Sequence, residues 1–432
     1  METLPLPPEP APLPPAPLSA HRQVLAAYDR IAEAGRPELW TILRPCEDVL
    51  VDAKAVDERV RAGEPLPLAG LLAAVADPLD VAGLPTSGRP DTSATAVRRL
   101  TEAGAVVLGK IVLDRSGAAV VALGLVDVTI GTGMAACDGV VGLAPTPGLV
   151  PVTGVPDRVG VFARTVADGQ RVLAAMTGPD PADPSSRAWP SSVRLSAGER
   201  PRLAIPVEAA SGAFRTAVED LLAAGATVET VGSTGFLDHT AKYDALLLPL
   251  APEHGELLGF PVVTVPGVSV VARLFEDQIA LDIAAYLHAE QIRNPYPDTG
   301  IDLVVFGAHL RGQPLNTQLT DLGARFLGEV ETAGSYRMVA LPTSPPQPGI
   351  LPVAGGAPLA GERWTISPAG LGSFLDGLPQ PMRPGEIELA DGSTAMSFHC
   401  GVPAGAHARD ITRFDDWRAY LRHLTATRPM SC

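Results

Sequence analysis

Cysteine is scarce. The chain has four in 432 residues, Cys46, Cys137, Cys400 and Cys432, with no CxxC pair. That excludes a disulfide framework and a cysteine zinc site, and it suits a reducing cytoplasm, the expected location. The eight histidines form no HxH or HxxxH pair, so no metal site and no cofactor is expected. Basic charge is short as well. Thirty-three Lys and Arg stand against 48 Asp and Glu, a net charge of −15. Without a basic patch to displace counterions, neither nucleic acid nor an anionic membrane surface is an expected partner. Long apolar runs are missing too. The richest stretch, Leu246 to Val271, is cut by Pro249, Pro252, Glu253, Glu256, Pro261 and Pro266, which rules it out as a membrane span. The N-terminus has no basic start and no unbroken apolar stretch, so no targeting segment is expected. Small molecules and other proteins remain as partners.

What is abundant is proline and apolar side chains. Eight prolines fall by Pro17, so residues 1–20 are expected to be an extended, poorly ordered tail. A hydrophobic fraction of 46% in 432 residues implies two cores. From His21 to Glu33 the residues Val24, Leu25, Tyr28, Ile31 and Ala32 share one helical face. Leu71–Val75 reads as a buried strand, Asp91–Ala103 as an amphipathic helix, and Ala105–Leu108 as another strand. This order suggests a right-handed crossover and a mainly parallel sheet. Leu203–Val207, Ala213–Ala224 and Thr227–Val231 repeat it. A closing helix is expected at Ile279–Gln291. NPYPDTG (294–300) is the expected linker between a first domain, residues 21–293, and a second, residues 301–425. In the second, short strands and glycine-proline turns dominate, with one helix around Gln318–Leu327 and another at the end, which indicates a small α+β domain.

LAGLLAAVADPLDVAGLP (Leu68–Pro85), TAVRRLTEAGAVVLGK (Thr95–Lys110), GVVGLAPTPGLVPVTGV (Gly139–Val155), FARTVAD (Phe162–Asp168), YDALLLPLAP (Tyr243–Pro252) and FPVVTVPG (Phe260–Gly267) together resemble the amidase signature family. The resemblance implies an α/β fold with a mixed sheet flanked by helices. It also implies amide hydrolysis by a serine nucleophile, a second serine on a cis peptide bond, and a lysine base. Those parts are missing. Ala76 stands at the lysine position. The loop of the second serine is reduced to Asp114-Arg115-Ser116-Gly117-Ala118. The nucleophile loop is reduced to Gly131-Thr132-Gly133-Met134-Ala135-Ala136-Cys137. Ser116 reads as a helix cap, because no base is there to take its proton. Lys110 lies in the family's LGK stretch, a scaffold position. Cys137 reads as a buried small hydrophobe. The expectation is a shortened domain that folds but is inactive as an amidase, because strands carry the burial and loops the chemistry.

VVFGAHLRGQPLNTQLTDLGARFL (Val304–Leu327), GSFLDGLPQPMRPGEIELADGS (Gly372–Ser393) and DITRFDDWRAYL (Asp410–Leu421) resemble the C-terminal domain of allophanate hydrolases, enzymes of urea degradation. YDRIAEAGRPELWTILRP (Tyr28–Pro45) resembles their lead-in. The resemblance implies a second domain similar to gamma-glutamyl cyclotransferases, which decarboxylates an N-carboxylated product and makes subunit contacts, with His309 as the residue linked to that step. Loss of CO2 leaves charge on nitrogen, and a histidine near neutral pH is a suitable proton donor. Gly307 and Gly312 permit a tight turn whose N–H groups face a carboxylate. Asn316 and Gln318 are candidate partners for the ligand's amide or carboxylate, and Tyr336 a candidate to close the pocket. For Asn316 a helix cap, and for Gln318 a solvated surface position, are the alternatives. Asp415, Trp417 and Tyr420 read as packing.

The expected ligand is a small ureido or N-carboxylated compound, and the expected partners are a second copy of the chain or an active amidase. Two other functions stay open: a non-catalytic partner of an active amidase, and an allophanate hydrolase with an unrecognised base.

Overall fold

The computed structural model describes residues 19–86, 90–112, 116–132, 139–152, 158–207, 212–232, 236–250, 259–292, 295–297, 299–343, 346–401, 405 and 407–427. Asp114, Arg115, the stretch Gly133–Cys137, and Asn294 and Asp298 of the expected linker lie outside them, as does the proline-rich stretch 1–18. The first helix opens at Ala20, one residue inside the expected tail, with the Ser19 hydroxyl accepting the Arg22 N–H.

The chain runs α1 (Ala20–Ala34), β1 (Trp40–Leu43), α2 (Cys46–Arg61), β2 (Leu72–Ala76), α3 (Thr95–Glu102), β3 (Val106–Ile111), α4 (Ser116–Ala122), β4 (Val128–Thr132), β5 (Val141–Ala144), β6 (Val159–Ala163), α5 (Val166–Met176), β7 (Arg202–Pro206), α6 (Gly212–Ala223), β8 (Thr227–Val231), β9 (Ala245–Pro249), β10 (Val262–Val265), β11 (Val268–Ala272) and α7 (Asp277–Leu287). These strands form one sheet in the order β1-β3-β2-β4-β6-β5-β10-β11-β9-β7-β8. The expected strand–helix–strand units are there: β2 pairs parallel with β3, and β7 with β8. The sheet is nevertheless mixed, not mainly parallel. Two parallel trios, β3-β2-β4 and β9-β7-β8, are joined by antiparallel β6, β5, β10 and β11, and β1 adds an antiparallel edge beside β3. Strand β11 follows β10 through the turn at Gly267, whose φ of +85° suits glycine. That hairpin hides in VVTVPGVSVVA, where an apolar run gives no register.

Burial on both faces explains why β2 is apolar throughout. Leu72, Ala74 and Ala76 join the cluster that holds Val24, Val49 and Val121 of α1, α2 and α4. Ala73 and Val75 face the opposite cluster, with Val97 of α3 and Leu173 of α5.

The second unit runs β12 (Ile301–Val305), α8 (Thr317–Thr320), β13 (Arg325–Glu331), β14 (Tyr336–Leu341), β15 (Gln347–Pro352), β16 (Ala360–Ile366), α9 (Pro368–Asp376), β17 (Met382–Glu388), β18 (Thr394–Cys400), β19 (Arg409–Asp410) and α10 (Trp417–Thr427). A five-stranded sheet, β13-β16-β12-β18-β17, packs with a three-stranded one, β15-β14-β19. Two expectations are corrected here. The helix expected at Gln318–Leu327 is only one turn, because Gly323 at φ +70° leaves the helical region and Arg325 onward pairs with β16. Helix α9, in the glycine-rich SPAGLGSFLDG, has too few apolar repeats to read as a helix. Pro368 in its first turn and the Ser367 hydroxyl accepting the Gly370 N–H start it.

One buried carboxylate ties α7 to the loop after β5. The Thr146 N–H and Oγ1–H donate to Asp277 at 2.7 and 2.6 Å. Burial pushes the Asp277 carboxyl up to about 6, against those hydrogen bonds and the Arg158 charge. Folding therefore favours the protonated acid. Its contribution is complete below the unfolded value near 3.8 and is lost as pH rises through about 6. Relative to Asp277→Asn, wild-type stability is expected to fall by about 2 kcal/mol between pH 4 and pH 7. Urea unfolding at both pH values checks this. Parallel pH dependence in the two proteins would remove Asp277 as the cause.

Candidate functional site

In the first domain, the position where the family resemblance leads one to expect a lysine is closely packed. Ala76 is 5% exposed, and a Cβ added at Gly131 would lie 2.6 Å from its methyl. Lys110 is fully buried and held on three sides. Its Nζ donates to Thr86 Oγ1 at 2.6 Å and Pro85 O at 3.1 Å, and pairs with Asp77 at 3.2 Å. Lys110 pairs in register with Val75, whose side chain faces the cluster opposite to that of Ala76, while Ile111 pairs with Ala76 in its own cluster. The Lys110 ammonium thus meets the face away from the Ala76 methyl, which fits a scaffold role. Ser116 opens α4.

In the second domain, β12 delivers the chain into a tight turn, Gly307–His309. Gly307 takes φ +67°, and a Cβ there would sit 2.0 Å from Cδ of Pro348, so both the backbone angle and the close approach require glycine. Gly312, at φ +74°, lets the loop turn back toward α8 with open space around it.

His309 is 2% exposed. Its ring meets the rings of Phe374 in α9 and Phe398 in β18 edge-on, at 5.2 and 5.3 Å. Nε2 lies 3.0 Å from Oε1 of Gln318, so as that amide is oriented Nε2 donates and Nδ1 is the basic nitrogen. Burial holds the imidazole below its ordinary value, with the Gln318 hydrogen bond opposing. Neutral histidine is therefore the resting form at pH 7. Asn316 Nδ2 donates to the His309 carbonyl at 2.9 Å and makes no side-chain cap to α8. Gln318 is exposed, so Nε2 lies one side chain below the surface.

The structure thus brings Gly307, His309, Asn316 and Gln318 together. Tyr336 stands elsewhere. It is buried, its OH accepts the Glu388 N–H at 2.8 Å, and its ring lies 6.3 Å from that of His399, the residue after Phe398. Trp417 and Tyr420 are buried in the second core.

Sequence reading missed Glu362. It is 1% exposed and accepts from the Arg311 N–H at 2.9 Å, Trp364 Nε1 at 3.2 Å and Arg418 Nη2 at 2.5 Å. Arg418 Nη2 also donates to the Arg311 carbonyl at 3.1 Å. Both ends of one residue in the histidine loop are clamped by a single ion pair between β16 and α10. Separations of 51 and 107 residues leave no local signal for it. Among the described residues, no cluster of three or more His, Cys, Asp or Glu side chains is placed to hold a metal, and no helix is long and apolar enough to cross a membrane.

Comparison with known proteins matches both parts. A family model described as Amidase matches residues 22–118 and 116–247, and one described as Allophanate hydrolase C-terminal domain matches residues 301–422. The urea amidolyase of Saccharomyces cerevisiae is 24% identical over 573 aligned positions, covering 89% of this chain and 31% of that protein. The Lachancea kluyveri urea amidolyase gives 24% over 547 positions, 83% of this chain and 30% of that protein. The chain therefore spans about a third of the length of these relatives. Since 83% of a 432-residue chain is spread over 547 positions, the relatives also carry internal segments that it lacks. Among solved structures, the allophanate hydrolase of Kluyveromyces lactis superposes with a TM-score of 0.77 at 22% identity, covering 95% of this chain and 98% of that one. A chain from a vestigial protein complex connected with an s-triazine catabolic enzyme matches 63% of this chain and 95% of its own length, with a TM-score of 0.53 at 21% identity.

Proposed function

Since the chain belongs to the amidase family and ends in an allophanate hydrolase C-terminal domain, we propose that it is an allophanate hydrolase homologue of urea breakdown whose remaining chemistry lies at His309. The first domain is a shortened scaffold without amide hydrolysis. The observation that carries this reading is the contrast between the two sites. At Ala76 a methyl is packed where a base is needed. At His309 a buried imidazole keeps both a hydrogen-bond partner and a shaped loop.

The ligand is a small N-carboxylated or ureido compound. Displacement of the exposed Gln318 side chain opens the way to Nε2. A bound carboxylate beside the ring raises the imidazole pKa and makes the imidazolium. As the bond between nitrogen and the leaving carboxylate breaks, its electron pair stays on nitrogen, CO2 departs, and the imidazolium proton moves to that nitrogen. Asn316, bonded to the His309 carbonyl, fixes the loop during the step.

The test compares wild type with His309→Ala and His309→Gln on an N-carboxylated substrate generated in situ, with CO2 release followed by stopped flow. A loss of about 100-fold or more in the enzyme-dependent rate is expected. Equal rates remove His309 from the mechanism. A second reading, a non-catalytic partner of an active amidase, draws support from the likeness to a chain of a vestigial complex. Stable co-purification with an active amidase, together with equal CO2 rates, would favour it.

A further inference from the structure

We propose that the segment Ser191–Glu199 of the first domain positions the histidine site of the second. The inference rests on reading His309 as the functional group. It gives the first domain a task that needs no amide chemistry.

The segment lies between α5 and β7 and has no helix or strand of its own. It is anchored in its own domain. Arg194 pairs with Asp244 at 2.9 Å and with Glu276 at 3.4 Å. Trp189, just before it, meets Tyr296 edge-on at 5.0 Å. Leu195 is fully buried.

From this anchorage it makes one polar contact to each of three elements around the imidazole. The Ser191 carbonyl accepts the Ala369 N–H of α9 at 2.9 Å, and α9 carries Phe374, which packs on the His309 ring. The Leu195 N–H donates to the Gly323 carbonyl at 2.9 Å, just past the turn of helix that carries Gln318. Glu199 accepts from Arg311 Nε at 2.7 Å, and Arg311 sits two residues after His309. The fit at Gly323 is close: a Cβ there would fall 2.7 Å from Cβ of Arg194. Arg325 closes the arrangement. Its guanidinium donates to the carbonyls of Leu195 and Ile292, at 3.4 and 2.6 Å, and to Asp282 at 2.5 Å, all in or bordering the first domain.

An aromatic partner, an amide partner and the loop itself are thus set by one strap. Loss of the strap frees α9 and Gln318, and water reaches the ring. Its described neighbours, Phe374, Phe398 and Gln318, are uncharged, so hydration is the main change that the ring would feel.

The experiment uses the full chain with 15N-labelled histidine. The eight imidazoles are resolved by NMR, and His309→Gln assigns the His309 signals. In Arg325→Met, verified as folded by circular dichroism, the hydrogen-bonded Nε2–H signal is expected to broaden. The protonation midpoint should rise by about half a unit or more toward that of an ordinary histidine. Arg325→Lys should recover part of both, and the exposed His407 should not move. A folded Arg325→Met chain with wild-type His309 signals overturns the proposal. If that variant unfolds, Glu199→Arg is read instead, with Glu199→Arg/Arg311→Glu as its rescue, and unshifted His309 signals there overturn it equally. The readout is independent of turnover. Failure of the decarboxylation reading would appear as unchanged CO2 release in His309→Ala while the strap effect persists.

Discussion

Given allophanate, the purified chain is expected to release ammonia at the rate of buffer alone. Removing a nucleophile or its base from a hydrolase that depends on the pair costs about a million-fold in turnover, and on the reading proposed above Ala76 takes the place of the lysine and the serine loops are shortened. The structure adds a reason why a single reversion does not repair the site. Ala76 sits in an apolar cluster with Leu72 and Ala74, and Gly131 packs against its methyl. A lysine there has no space for its stem. Lys110 is no replacement, because its ammonium is spent on Thr86, Pro85 and Asp77 on the other face of the sheet. Ala76→Lys is therefore expected to lose stability and gain no ammonia release. Turnover above background in wild type, abolished by Ser116→Ala, would revive a hydrolase with an unrecognised base.

The second large effect is expected at Glu362. Glu362→Ala removes the acceptor for the Arg311 N–H, for the Trp364 indole and for the Arg418 guanidinium at once. Arg418 is partly exposed and keeps its bond to the Arg311 carbonyl, so the loss is that of the buried acceptor for the Arg311 N–H and the indole, about 2–3 kcal/mol. Glu362→Gln keeps an acceptor oxygen and should cost less. Urea denaturation measures both. The order matters more than the size: a loss in Gln equal to that in Ala would mean that charge, not hydrogen bonding, holds the clamp. A loss below 1 kcal/mol in Ala would mean that the loop around His309 does not depend on it.

How far the sequence spoke depends on distance along the chain. The β2–α3–β3 and β7–α6–β8 units were legible because each is local: an apolar strand, an amphipathic helix with a glycine after it, and a second strand. Of the β10–β11 hairpin, Val262–Val265 reads as a buried strand, but the return strand Val268–Ala272 was not legible, because its apolar run has no alternation to mark a partner. β13 looked helical because Leu319, Leu322 and Phe326 happen to follow a helical spacing; Gly323 at φ +70° and pairing with Trp364 and Arg363 overrode that pattern. In the site, the loop motif exposed His309, Asn316 and Gln318, whose mutual hydrogen bonds span fewer than ten residues, but not the distant rings of Phe374 and Phe398 that enclose the imidazole. Glu362, Arg418 and the strap at Ser191–Glu199 gain their meaning only through contacts more than fifty residues long. Tyr336 illustrates the converse. A plausible residue type near the motif in sequence turned out to face His399.

On the reading proposed here, the two halves of the chain divide the work physically. The first keeps the strands that bury its core and a strap that reaches the second; the second keeps a histidine in a shaped loop. Treatment of the full chain with a fluorophosphonate that mimics the tetrahedral amide intermediate, followed by intact mass and peptide mapping, tests that division most directly. The expected result is an unmodified mass and no labelled peptide from residues 21–293. A stoichiometric adduct on a first-domain side chain, Ser116 above all, would contradict it.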